Sequence, residues 1–183
     1  MADGSDALSG VDGGLPEPGM REFVTTGIFD APRELLFSAW TEAEHLKQWF
    51  GPKGFTIPVA KLNLVPGGTF HYCLRAPTGK EMWGKWTFRE IVAPERLVLV
   101  NAFSNRHGNP TRHPFVADWP LEMLSTTTFS EVDGMTLVRI AWIPIHASLV
   151  ERQAFEDARE GMQEGWAGTF AQLREYLKTV QGC

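Results

Sequence analysis

Few residues in this chain have the types and spacing that catalysis requires. Cys73 and Cys183 are far apart and no C-x-x-C motif is present, so the sequence predicts neither a disulfide nor a redox pair. No G-x-S-x-G motif occurs, and Gly67-Gly68 precedes an alternating, strand-like segment instead of the helix that a phosphate-binding loop needs. The sequence therefore predicts no catalytic residue from motifs of these kinds.

Two histidines lie close together in the segment 105–120, which has no regular hydrophobic period. His107 and His113 could both ligate a metal ion, but no carboxylate or cysteine stands at ligand spacing, and two histidines alone make an incomplete zinc site. We expect no metal and no cofactor. Loops of this length are usually either functional or disordered, so we interpret the segment as a candidate lid. Phe115 and Trp119 would then either cover the mouth of a cavity or simply attach the segment to the sheet.

Composition excludes several partners. The chain has 183 residues and a net charge of -5, and it lacks the clustered lysines and arginines that nucleic-acid binding requires. No stretch approaches the roughly 18 apolar residues of a membrane span, so we expect no membrane and a cytoplasmic location. Residues 1–20 are rich in Gly, Asp, Ser and Pro and predict a flexible tail, followed by one domain at 21–179 and a short tail at 180–183.

The domain begins with a strand and two short helices. Residues 21–29 alternate β-branched and aromatic side chains, which is typical of a strand. Asp30 and Pro32 then predict the start of a first helix, and Thr41 with Glu44 matches a capping box at the start of a second. Both helices end before Gly51.

An alternating period then continues for nearly a hundred residues. It predicts six strands, separated by turns rich in Gly, Pro and Asp, at 55–64, 69–76, 81–92, 97–104, 121–132 and 135–143. Residues 148–179 return to a helical period, with one apolar stripe that includes Phe155 and Leu177. The order predicts an α+β domain in which consecutive antiparallel strands form one sheet and the last helix covers one face.

Four stretches also carry a resemblance to a known family: DAPRELLFSAWTEAEHLKQWFGPKGF at 30–55, VPGGTF at 65–70, REIVAPERLV at 89–98 and EGWAGTFAQLREYL at 164–177. With the order of elements, they resemble the START-like helix-grip (SRPBCC) superfamily, and within it the bacterial homologues of the C-terminal domain of the activator of heat shock protein 90 ATPase. The resemblance implies a curved antiparallel sheet of about seven strands wrapped around a long C-terminal helix. It also implies a hydrophobic cavity for lipids, polyketides or aromatic molecules.

Strand alternation predicts which side chains face that cavity, because residues two apart share a face. The apolar rows lie opposite the stripe of the last helix, and Ser125 and Thr127 are too small to fill the wedge between them. The predicted cavity residues are Phe70, Tyr72, Leu74, Trp86, Phe88, Met123, Ser125, Thr127, Trp142, Met162, Trp166 and Phe170.

A register shifted by one residue would exchange the two faces. His71, Arg75, Trp83 and Lys85 would then point inward and offer a charged anchor for an acidic ligand. We expect them on the exposed face instead, because a buried cation without a partner is costly. Arg75 and Glu81 flank one hairpin and are a candidate ion pair.

The leading functional hypothesis is binding of a small hydrophobic or aromatic molecule, as a carrier, sensor or sequestering protein. The second is a polyketide cyclase or dehydratase, in which His71 or Tyr72 moves a proton. The third is a co-chaperone-like module, although residues 1–20 do not match the separate N-terminal domain of the eukaryotic activators, so a chaperone partner is not expected. A homodimer is a further candidate assembly, because exposed sheet edges pair readily.

Overall fold

The computed structural model describes residues 20–182, so all of the predicted N-terminal tail except Met20, together with Cys183, lies outside the described residues. Its elements follow the predicted order. They are β1 (Phe23–Phe29), α1 (Arg33–Thr41), α2 (Ala43–Trp49), β2 (Thr56–Leu62), β3 (Thr69–Arg75), β4 (Glu81–Val92), β5 (Arg96–Ser104), β6 (Glu122–Val132), β7 (Met135–Ile145), α3 (Leu149–Asp157) and α4 (Arg159–Gln181).

The seven strands form one antiparallel sheet in the order β1-β7-β6-β5-β4-β3-β2. Strands β2 to β7 therefore follow one another as neighbours, and β1 closes the far side by pairing with β7. The α+β helix-grip fold predicted from the sequence is confirmed. Among residues 20–182, none of the helices combines the length and the apolar character needed to cross a bilayer.

The turn between β6 and β7 shows how local sequence sets the register. Asp133 and Gly134 have φ of 50° and 79°, the left-handed pair that a two-residue hairpin turn needs. Val132 consequently pairs with Met135, and the register runs without interruption to Glu122 opposite Ile145. The position of this turn thereby decides that Ser125 and Thr127 lie on the same face as Ile140 and Trp142.

The second half of α4 closes one side of the molecule. Leu173 and Leu177 are buried in the core, and the ring of Phe170 meets Phe29 of β1 edge-on at 5.4 Å. Trp166 contacts Trp142 of β7 at 5.5 Å. The helix packs on β1 and α2, so its first half lies farther from the middle of the sheet. A wedge between α4 and strands β3 to β6 results.

The predicted single C-terminal helix is two helices, with a break at Ala158, and α4 continues to Gln181 inside the predicted tail 180–183. Arg159 follows the break. Its guanidinium pairs with Glu156 at 2.6 Å and donates to the carbonyl oxygens of Arg21 and Glu22. These bonds attach the break to the start of β1, a long-range contact that helical periodicity does not encode.

The predicted capping box at Thr41 is wrong. Thr41 is the last residue of α1, and its hydroxyl donates to the carbonyl oxygen of Phe37 at 2.8 Å. The second helix begins at Ala43 after Glu42, which makes no side-chain cap bond. Thr41 lies inside α1, so it cannot occupy the N-cap position of α2, which Glu42 holds.

The predicted cap at Asp30 is also wrong, because Pro32 is the N-cap residue of α1 and no side chain caps it. Within residues 20–182, a capping box lies at the start of α3. There Ser148 accepts from the backbone N–H of Glu151 at 3.3 Å, and the Glu151 carboxylate accepts from the N–H of Ser148 at 2.8 Å. The S-x-x-E spacing of this pair was readable in the sequence.

Candidate functional site

A cavity of about 630 Å³ fills the wedge between the sheet and the first half of α4. Strands β3 to β7, residues 50–52, the 105–120 segment and α4 all contribute to its wall. Nine of the twelve predicted cavity residues lie in that wall: Tyr72, Leu74, Trp86, Met123, Ser125, Thr127, Trp142, Met162 and Trp166.

The other three predicted residues, Phe70, Phe88 and Phe170, belong to the core instead and do not line the cavity. All three are at most 3% exposed. Phe70 stacks on Tyr72 at 4.9 Å, and Phe170 packs against Phe29. They share the inward face, as predicted, but are packed among other core side chains, and alternation alone does not reveal which inward positions are packed.

Two exposed glycines of α4 border the cavity. Gly161 and Gly165 line it, and a Cβ built on either would meet no atom within 4 Å. Each glycine in a helix costs about 1 kcal/mol relative to alanine, so the two glycines lower the stability of α4. Sequence reasoning missed these positions, although their spacing of four places them on one helix face beside Met162 and Trp166.

Tyr72 lies flat against the neighbouring strand. Its Cα pairs with that of Gly84, and a Cβ on Gly84 would lie 2.3 Å from the phenol oxygen. Burial raises the pKa of Tyr72 well above its ordinary value, and a side-chain hydrogen bond with Trp86 only partly opposes this shift. The phenol is therefore neutral at physiological pH and cannot act as a base there.

The hypothesis that His71 moves a proton in the cavity does not fit its position. His71 lies on the outer face, where its Nε2 contacts the carbonyl oxygen of Asn105 at 3.1 Å. Lys85 lies beside it and donates to the carbonyl oxygen of Gly108 at 3.1 Å. Both side chains thus hold the first turn of the 105–120 segment against the outside of the sheet.

The remaining residues of the shifted-register set follow the same pattern. Arg75 donates twice to one carboxylate oxygen of Glu81, at 2.8 and 3.1 Å, which confirms the candidate ion pair. Its guanidinium holds the pKa of Glu81 below the usual range. The ring of Trp83 contacts that of His71, tilted by 30° with centroids 5.1 Å apart, and Trp83 is also one of the residues that line the cavity. The sheet therefore presents its apolar face to α4, and no Lys or Arg lines the cavity within residues 20–182.

The second half of the 105–120 segment crosses to the inner face. His113, Val116 and Trp119 line the cavity, and Trp119 packs on Phe155 at 5.9 Å. Phe115 does not line it: its side chain is 65% exposed under the ammonium of Lys80, so the prediction that Phe115 covers the cavity is wrong.

An arginine attaches this part of the segment to α3; we call residues 112–119 the cavity cover. Arg112 donates to the carboxylate of Glu151 and to the carbonyl oxygen of Trp119 at 3.3 Å. The Arg112 hydrogen bond lowers the pKa of Glu151, which also belongs to the capping box of α3. A single side chain therefore links the segment, the cavity wall and the start of a helix.

His113 has a defined proton arrangement. Its Nδ1 accepts from the backbone N–H groups of Phe115 and Val116, both at 3.0 Å. A nitrogen that accepts two N–H bonds carries no proton, so the neutral ring has its hydrogen on Nε2. Burial also lowers the pKa of His113. The sequence marked this histidine only as an incomplete metal ligand, and residues 20–182 contain no cluster of three metal-ligating side chains.

On the sheet side of the cavity, a few polar side chains lie close together on β5 and β6. Asn101 lies on the inward face of β5, between Trp86 and Met123. Neither its amide nor the hydroxyl of Thr127 has a side-chain hydrogen-bond partner within residues 20–182, whereas Ser125 accepts from the indole N–H of Trp142 at 3.0 Å. Sequence analysis missed Asn101, although a lone asparagine in the alternating segment LVLVNAFS was a readable signal.

Comparison with solved structures finds the same fold in several bacterial proteins. Protein NE0264 from Nitrosomonas europaea is 25% identical, with a TM-score of 0.70 over 88% of this chain and 97% of that one. A solution structure from Staphylococcus epidermidis is 25% identical, with a TM-score of 0.71 over 90% and 94% of the two chains. Protein Ms6760 from Mycobacterium smegmatis is 25% identical, with a TM-score of 0.69 over 84% and 88%.

The comparison with curated proteins found no match. The sequence pattern of the activator of Hsp90 ATPase homolog 1-like proteins matches residues 30–178, which is most of the chain and includes every strand except β1. All the walls of the cavity lie within this range. The chain therefore belongs to the family of activator of Hsp90 ATPase homolog 1-like proteins.

Proposed function

We propose that this protein binds a small hydrophobic or aromatic molecule in the cavity between the sheet and α4. The observation that carries the proposal is the 630 Å³ cavity itself, whose wall is formed largely by aromatic and aliphatic side chains with a few polar groups. A volume of this size and character is typical of sites for small organic ligands. The family fold commonly binds ligands, which agrees with this use.

The cavity also has an open edge along α4. Gly161 and Gly165 line it, and both are exposed, so no side chain at these two positions closes the space between α4 and the sheet. A void beside six tryptophans and the unpartnered amide of Asn101 is suited to a ligand with both apolar surface and a polar group.

Binding receives more support than catalysis. A cyclase or dehydratase needs a group in the cavity that takes up or releases a proton near neutral pH. His71 lies outside the cavity and Tyr72 holds its proton far above that range. His113 accepts two loop N–H groups at Nδ1 and carries its proton on Nε2, so neither ring nitrogen is free to take a proton from a substrate.

Native mass spectrometry of the protein purified from its own host tests the proposal. We expect a bound small molecule, which denaturing extraction would release for identification. The matched pair Gly165→Leu and Gly168→Leu supplies the structural control, because Gly165 lines the cavity, Gly168 does not, and a Cβ at either meets open space. The first variant should lose the ligand and the second should keep it. Equal retention by both variants would place the ligand elsewhere.

A further inference from the structure

We propose that the cavity selects an uncharged ligand whose carbonyl oxygen accepts hydrogen bonds from the Nε2–H of His113 and the amide of Asn101. The apolar frame of the ligand then lies against the aromatic wall. The inference rests on the proposed function and adds the chemical class of the ligand and its orientation.

The first donor is His113. Because Nδ1 accepts from two backbone N–H groups, the ring must present its only proton at Nε2. No partner for Nε2 exists within residues 20–182, and the residue lines the cavity. The imidazole is thus a neutral N–H donor held in place by its own loop.

The second donor lies close to the first along β5. Asn101 and Phe103 are two residues apart on one strand, so they share the inward face with Cα atoms about 7 Å apart. The ring of His113 contacts that of Phe103 with centroids 4.5 Å apart. The unpartnered amide and the imidazole therefore both lie next to Phe103, in the same part of the cavity.

Ser125 and Thr127 extend this polar region across β6. Ser125 already accepts from Trp142, which leaves its own O–H to donate, and the hydroxyl of Thr127 has no side-chain partner within residues 20–182. Asn101 pairs with Met123, so Ser125 is its diagonal neighbour. The side chains of this region offer more free hydrogen-bond donors than groups that can only accept. A ligand group that only accepts hydrogen bonds is therefore favoured.

The described lining residues offer no cationic partner to an anionic ligand. Asp157 is the only Asp, Glu, Lys or Arg among the described lining residues. It is exposed on α3 and accepts from Gln153 at 2.8 Å. A carboxylate or sulfonate inside would lose its water without gaining a cationic partner, which is strongly unfavourable. A ketone, quinone, lactone or amide carbonyl meets no such cost.

Three probes of one shape test the class. Isothermal titration calorimetry with 2-acetylnaphthalene, 2-isopropylnaphthalene and 2-naphthoate compares a ketone, a hydrocarbon and an anion on the same ring. We expect the ketone to bind about five-fold tighter than the hydrocarbon, as the net value of a hydrogen bond implies, and the anion to bind most weakly. Equal affinity of ketone and hydrocarbon, or tightest binding of the anion, would overturn the proposal.

Variants locate the carbonyl site. Asn101→Leu should bring the ratio of ketone to hydrocarbon affinity close to one, and His113→Asn should lower it, because an asparagine oxygen can still accept the two loop N–H groups but the imidazole donor is gone. Thr126→Val, on the outer face of β6, should leave the ratio unchanged. An unchanged ratio in Asn101→Leu contradicts the proposal even if His113→Asn does not fold. If none of the probes binds the wild-type protein while a host-derived ligand is retained, only this inference fails; if neither binds, the proposed function fails as well.

Discussion

The phenol ring of Tyr72 lies directly over the backbone of Gly84 on the neighbouring strand. The two residues are paired across β3 and β4, and a Cβ on Gly84 would lie 2.3 Å from both Cζ and Oη of Tyr72. Phe50 holds the other side of the arrangement, with its ring 5.3 Å from that of Tyr72. The shape of the cavity at Tyr72 thus depends on position 84 being a glycine, which has no side chain.

Gly84→Ala should move the ring of Tyr72 into the cavity. We expect a loss of about 1–3 kcal/mol in the free energy of unfolding, because the methyl group overlaps a buried ring with little room to shift. Urea denaturation measures this loss. In a Tyr72→Leu background the same substitution should cost clearly less. Equal costs in the two backgrounds would show that Tyr72 is not the obstacle.

Two buried threonines should respond differently to replacement by valine. The hydroxyl of Thr136 donates to the carbonyl oxygen of Ala31 at 2.7 Å, so Thr136→Val should lower the free energy of unfolding by about 1–2 kcal/mol. Thr127 lines the cavity and its hydroxyl has no side-chain partner within residues 20–182, so Thr127→Val should leave stability unchanged or raise it. A similar loss in both variants, measured by chemical denaturation, would contradict the placement of Thr127 at open space.

Removal of the link from Arg112 should loosen the cavity cover with little effect on global stability. Arg112→Gln loses the ion pair with Glu151, which is partly exposed and so contributes little to the free energy of unfolding. Hydrogen exchange followed by mass spectrometry should show faster exchange in residues 112–119. Ser148→Ala is the comparison: it removes a helix cap at the cost of about 1 kcal/mol and should affect α3 first. Unaltered exchange in 112–119 of Arg112→Gln would show that other contacts hold the cover.

Acidification should destabilise the fold through His113 before the carboxylates matter. The pKa of His113 is lowered in the folded state, so the unfolded chain binds the proton more readily, and stability falls as the pH drops below the ordinary histidine value of about 6.5. Protonation would also place a hydrogen on Nδ1, where two N–H groups now donate. Glu151 and Glu156 have lowered pKa values, so their contribution is present at neutral pH and is lost only as the pH falls below about 4.3.

The unfolding free energy of wild type and His113→Asn, measured between pH 7.5 and about pH 5, isolates this effect. The wild type should lose stability over that range, and the variant should lose less. Parallel curves for the two proteins would show that His113 titrates equally in the folded and unfolded chain.

Local sequence was sufficient for the elements whose signals are short-range. The Asp133–Gly134 turn and the alternation of β3, β4 and β6 each predicted their element to within one or two residues, because turn geometry and side-chain periodicity are set by neighbouring residues. The apolar stripe predicted the end of α4 to within two residues but not the break at Ala158. The capping box at Thr41 failed for a complementary reason. The T-x-x-E spacing does not show whether α1 ends before or after Thr41, and in the structure α1 continues through Thr41, whose hydroxyl donates to the carbonyl oxygen of Phe37.

The sequence by itself determined the order of the elements, the face of the sheet that is apolar and the existence of a wedge that small side chains cannot fill. Only the tertiary structure decided which inward residues line a void and which are packed, since Phe70 and Tyr72 differ in no local signal. It also brought His113 next to Phe103 and Asn101 and turned His71 outward. These contacts join parts of the chain that are far apart in the sequence, so periodicity does not predict them. They depend on where α4 and the 105–120 segment pack against the sheet.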